Sequence, residues 1–315
     1  MRYALMIEAQ QGLSYAELLA IAQRAEAAGF EAMFRSDHYE SFPGPPGRPT
    51  TDAWTVLAGL ARETTRIRLG ALVSPVTFRY PGSLAKIVAT VDEMSGGRIE
   101  LGIGAGWNDD EHRRHGFPFP PIEDRADMLE EQLAIVHGLW EEPDGWSFAG
   151  KHYRVEDAIF YPKPVQRPRV PILVGGTGTP RSLRLAARYA DEFNLSSADA
   201  PKVADKLTQL DAACRAIGRD PNTIRRSAMV GTMIAADPGQ LADRKKALLA
   251  ELTPGEAAED WFITREKRWI FGTPDQARAK IAEFAAAGVE RLMFQDFLPR
   301  DLAMIDELGA ELIGR

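Results

Sequence analysis

The chain has 315 residues, 45% hydrophobic and 26% charged, which suits a globular core and either one large α/β barrel or two ordinary domains. A formal net charge of −7 argues against non-specific binding to nucleic acid or an anionic membrane. The single cysteine, Cys214, excludes an intramolecular disulfide. With no secretory leader pattern and no apolar run near the ~18 residues that cross a bilayer, the expected location is the cytoplasm.

Residues 3–7 form a compact apolar run, the first expected strand. Ser14 and Glu17 have capping-box spacing, and the helix they open closes at Gly29. The second strand is expected at 31–34, with a helix from about 52 to 63. The third strand spans 67–73, and its helix runs from Pro81, whose fixed φ suits a first turn, to 94. The fourth strand spans 99–103, and a longer excursion over 109–121 leads to an amphipathic helix at 123–140. Residues 146–161 read as a hairpin outside the main sheet.

The fifth strand is expected at 171–174 with a helix over 180–189, and the sixth at 192–195 with a helix at 207–217. The seventh spans 226–235, and 254–267 is an insertion with no assigned element. Thr273, Pro274 and Gln276 cap the next helix; a strand at 291–295 and a helix at 301–313 complete the chain. Eight strands alternating with helices, without a composition break, predict one (β/α)₈ TIM barrel. A doubly wound dinucleotide fold is disfavoured: Gly102, Gly104 and Gly106 give G-x-G-x-G, without the last glycine at its required spacing.

In a barrel, chemistry gathers where the strands end at their C-terminal face. His38 follows the second strand and titrates in the range where an imidazole gives or takes a proton; the other reading is a hydrogen-bonded strand-end histidine. Strand parity sets Ser36 and His38 on one side and Asp37 on the other, where Asp37 orients its neighbours. Glu8 and Gln10 share a parity on the first strand; Glu8 suits acid/base or substrate-binding work, or else pairs with a rim arginine.

Gly102, Gly104 and Gly106 leave backbone that a flat ligand can approach. Gly175, Gly176, Thr177 and Gly178 precede a helix whose free amides and Arg181 suit a phosphate, or else make a tight turn. Phe42, Tyr80, Trp107 and Trp146 either wall a ring system or pack, while His112 and His115 read as part of a solvated charged face. The histidines show no metal-ligand spacing, so no metal is expected, and a metal-dependent hydrolase is disfavoured.

Ser36-Asp37-His38, the stretch Arg66 to Gly70, Ser74 to Pro81 with Phe78-Arg79-Tyr80, Gly97 to Asn108, and Val174-Gly175-Gly176 together resemble the bacterial-luciferase-like oxidoreductases over nearly the whole chain. Within that superfamily the chain is most similar to the branch that uses the deazaflavin coenzyme F420. The resemblance implies one luciferase-like TIM-barrel domain over 1–315, often assembled as a homodimer. It implies that His38, with Asp37 beside it, handles the substrate proton; Glu8, from the strand-parity reading, joins them as a catalytic candidate.

It also implies a non-prolyl cis peptide at Leu72–Val73, next to Ser74, behind the coenzyme ring. Gly104, Ala105, Gly106, Trp107 and Asn108 would line the ring or its ribityl chain, and Gly175 to Gly178 the phosphate. Phe42, Gln10 and Gln295 fall to the substrate pocket, Phe42 standing where some members carry a tryptophan. The implied activity is hydride transfer between F420 and a small organic substrate. The alternatives are an FMNH2-dependent monooxygenase of the same fold and a non-catalytic flavin or deazaflavin carrier.

Overall fold

The computed structural model describes residues 1–252 and 256–314. Strand β1 (Arg2–Ile7) shows how its layers arise, because successive side chains face opposite sides and both sides are covered. Leu5 and Ile7 join the core beneath the helices. Ala4 and Met6 point inward with Ala32, Phe34, Leu72, Leu173 and Met293.

The parallel strands β2 (Ala32–Arg35), β3 (Arg68–Pro75) and β4 (Ile99–Gly104) follow. An antiparallel hairpin, β5 (Trp146–Ala149) and β6 (Arg154–Ala158), interrupts them. The chain returns with β7 (Ile172–Gly176), β8 (Glu192–Ser196), β9 (Arg225–Ile234), the short β10 (Ile270–Gly272) and β11 (Arg291–Asp296). Because β1 pairs with both β2 and β11, and β8 with β9, eight parallel strands close into a barrel, while β10 extends β9 outside it. The expected (β/α)₈ architecture is present, and each barrel strand lies within two residues of its predicted bounds.

The outer helices in chain order are α1 (Tyr15–Ala27), α2 (Ala53–Glu63), α3 (Pro81–Ser95), α4 (Asp109–His115), α5 (Ile122–Glu141) and α6 (Pro180–Tyr189). They continue with α7 (Ala200–Ala216), α8 (Pro238–Glu251), α9 (Glu256–Glu266), α10 (Pro274–Ala286) and α11 (Leu302–Leu308). Both predicted capping boxes form, at α1 and α10. Three helices, α4, α8 and α9, have no counterpart among the expected elements, and α7 starts seven residues before the expected 207. The predicted insertion over 254–267 is largely α9, its first two residues lying outside the described ones. Among the described residues, no helix is long and apolar enough to cross a membrane.

At its N-terminal end the barrel is plugged by charge. The Arg291 guanidinium, fully buried, lies 2.6 Å from Glu100 and 2.5 Å from Glu192. Arg68 and Arg225 pair with the same carboxylates from the rim. Burial opposes the ionisation of Glu100, but Arg291 and Arg68 outweigh it and hold its pKa well below the usual carboxylate value.

Candidate active site

At the C-terminal end the strands open into a cavity of about 930 Å³. Its floor comes from a break in β3: the register with β4 shifts between Ala71 and Ser74, and the Leu72–Val73 peptide is cis. Leu72 and Val73 face the cavity, whereas Ser74 is buried behind the bulge, accepting from the Trp54 indole N–H at 2.9 Å. The bulge also explains two glycines. A Cβ at Gly102 would lie 2.1 Å from the Ala71 carbonyl oxygen, and one at Gly104 would lie 2.7 Å from Val73. These positions thus make room for the neighbouring strand. Gly106 instead supplies a turn with φ of +79°, which carries Ala105, Trp107 and Asn108 along the cavity wall.

His38 lines the cavity beside Phe42 and Trp107, edge-on to rings at 4.5 and 5.8 Å. Its Nδ1 lies 2.9 Å from Glu111 Oε2. The carboxylate accepts from Nδ1–H, so a neutral ring presents an unprotonated Nε2, which has no partner among the described residues. Glu111 also accepts from the Tyr39 and Glu40 amides. Burial would raise its pKa, but the His38 ring and these amides outweigh that and hold the carboxyl below its usual value.

Glu111, which no sequence pattern marks, and His112, expected on a solvated face, are both buried on α4. His112 donates from Nδ1 to the Asn108 carbonyl and accepts at Nε2 from Thr77, with heavy-atom distances of 2.5 and 2.6 Å. The available signal was the cap: Asn108 accepts from the Glu111 amide at the start of this seven-residue helix.

Asp37 lies off the cavity, gripped by Arg79, which also pairs with Asp52. Glu8 faces the cavity and accepts from the Gln10 and Gln295 side-chain amides rather than from an arginine. Gln295 and Phe42 line the cavity; Gln10 sits behind, bonded also to Ser36. Gly175, Gly176 and Thr177 line it too, while Gly178 turns away at φ +74° against Lys206. Arg181 reaches the lining from α6 but is shared with Asp127. Tyr80 is exposed and Trp146 packs on Gly138 of α5, so neither walls the cavity.

The opposite wall was not legible: Trp261 and Arg265 of α9, then Arg268, Trp269 and Phe297. Outside the cavity, Asp124, Asp127 and His152 bring ligand atoms within 4.8 Å of one another. Lys151 already binds both of these carboxylates, at 2.5 and 3.1 Å.

A family model described as luciferase-like monooxygenase matches residues 1–291. The chain belongs to the luciferase-like family. An F420-dependent glucose-6-phosphate dehydrogenase of Microbacterium testaceum is 31% identical, over 89% of this chain and 87% of its own length. An F420-dependent secondary alcohol dehydrogenase, solved with an F420-acetone adduct, superposes with a TM-score of 0.85 at 20% identity, covering 99% of this chain and 98% of its own. The monooxygenase RslO1 of Streptomyces bottropensis gives 0.80 at 24% identity, covering 99% of each chain.

The luciferase-like cavity also meets a physical test for a flavin-type group. Ala105, Gly106, Trp107 and Thr177 line it, and their backbone amides have no partner among the described residues. Free amides on a concave wall suit the oxygen-rich edge, ribityl chain and phosphate of such a group.

Proposed function

We propose that this chain is a coenzyme F420-dependent oxidoreductase that transfers a hydride between the deazaflavin and a small organic substrate. The relatives' dependence on F420 supports the coenzyme. One observation carries the assignment of the proton-handling group. Two imidazoles line the cavity, and His112 has both nitrogens engaged, whereas His38 keeps Nε2 free.

Leu72 and Val73 would back the ring, and the amides of Ala105, Gly106 and Trp107 would hold its polar edge. Gly175, Gly176 and Thr177, before the α6 N-terminus, would hold the phosphate. When bound, the deazaflavin supplies the hydride chemistry. His38 Nε2 takes the proton from a substrate hydroxyl in the oxidative direction and returns it in the reverse. Glu111 fixes the ring's tautomer and aim, Glu8 offers an acceptor to the substrate, and Phe42 and Trp107 pack edge-on against the His38 ring.

The test is His38→Ala, assayed with F420 on a panel of alcohols, aldehydes and sugar phosphates. Turnover should fall by well over ~10-fold while the deazaflavin dissociation constant stays within about twofold. Unchanged turnover removes His38 from the chemistry. The family description also favours a second reading, an FMNH2-dependent monooxygenase, which a burst of oxygen consumption with reduced FMN would select.

A further inference from the structure

The wall missed in the sequence has a composition of its own. The Trp269 and Phe297 rings lie 5.2 Å apart and 3° from parallel, and Trp261 meets both edge-on. Trp269 lies flat against β9, where a Cβ at Gly231 would come within 2.1 Å of its indole. This is a fixed apolar face of the kind that holds a flat ligand body.

Two guanidinium groups stand at that face. Arg265 stacks over the Trp261 ring at 4.5 Å, and its Nη1 donates to the Trp261 carbonyl and the Thr264 hydroxyl. Arg268 donates to the carbonyls of Ser197 and Thr264. All these partners are neutral, and neither arginine forms an ion pair among the described residues. Arg181, in the same cavity, is by contrast neutralised by Asp127. Nε and Nη2 of Arg265 and Nε of Arg268 have no hydrogen-bond partner among the described residues. Burial and the charge on Arg268 both pull the Arg265 pKa down, so the pair carries a mutual repulsion that an anion relieves. Neither buried carboxylate of the cavity bonds these arginines: Glu8 accepts from two amide side chains and Glu111 from His38.

We propose that this wall binds the substrate, and that the substrate has a flat apolar body carrying one anionic group, carboxylate or phosphate, held by Arg265 and Arg268. The proposal rests on the reading of the cavity as a coenzyme-plus-substrate site, with the coenzyme phosphate on the Gly175–Thr177 side. Charge-assisted bonds to a guanidinium, partly shielded from water, give the anionic group its share of affinity.

The test is calorimetric titration of 2-naphthoate, 2-naphthyl phosphate and 2-naphthalenemethanol into F420-saturated protein, wild type and Arg265→Gln with Arg268→Gln. At least one anion should bind about tenfold or more tighter than the alcohol, and the double variant should lose that preference. Alcohol and F420 affinities should both stay within about twofold in the variant, which also reports an intact fold. Equal binding of all three probes to wild type overturns the proposal, as does an anion preference that survives in the variant. Loss of F420 binding in the variant also overturns it, by assigning the guanidiniums to the coenzyme's own anionic tail. Should wild type bind no F420, the coenzyme reading fails alone, and the same titrations without coenzyme still decide the anion site.

Discussion

The contact between His38 Nδ1 and Glu111 Oε2, at 2.9 Å, decides which ring nitrogen is left without a partner at the cavity. Glu111→Gln keeps the shape and removes the charge. It should lower kcat by ~10-fold or more while leaving the KM for F420 near wild type, as for other carboxylates that orient a histidine. A rise in KM with kcat unchanged would instead make Glu111 part of the coenzyme site.

Asp296 offers a second test at this scale. It is buried at the end of β11, one oxygen accepting from the Leu298 amide at 2.7 Å and the other without a partner. Burial pushes its carboxyl up to about 7. A carboxyl raised in the folded state holds its proton while the unfolded chain loses one. Stability therefore falls as pH rises from the unfolded value near 4 toward about 7, and levels off above that. Asp296→Asn should thus gain more in melting temperature over wild type at pH 8 than at pH 5. An equal gain at both would refute the buried charge. His38 was legible as a strand-end imidazole, but Glu111 was not, since its partner lies 73 positions away and only the fold brings them together.

Among the elements, β3 and β4 act as one unit. The bulge at Leu72–Val73 sits against glycines of β4, so the sequence G-x-G is here first a packing requirement between strands and only then a ligand-facing wall. Gly102→Ala forces a methyl to 2.1 Å from the Ala71 carbonyl and should cost ~1–3 kcal/mol in urea unfolding. A wild-type midpoint would show that the bulge has room to spare. Strands and capped helices were legible because their signals are local: an apolar run, Ser14 with Glu17, Thr273 with Gln276. The short α4 was not, its seven residues being nearly all charged. In α8 a glycine stands in the first turn, and α9 has no apolar stripe of its own to reveal it.

Over the whole molecule, the barrel divides its labour between its ends. The N-terminal end is sealed by Arg291 between Glu100 and Glu192, and the C-terminal end is left open for ligand. Arg291→Met would leave Glu100 and Glu192 with one rim arginine each, Arg68 and Arg225, in place of two, and should destabilise by ~3–5 kcal/mol without altering the cavity lining. Full stability by denaturant melt would mean that the carboxylates find protons or other partners. The closed barrel was legible from strands and helices alternating over the full chain.

Titrating the purified protein with oxidised F420 and, separately, with FMN, following ring fluorescence, decides whether this luciferase-like barrel works with F420. Micromolar binding of F420 with FMN much weaker is the predicted result. Preference for FMN, or binding of neither, would contradict it.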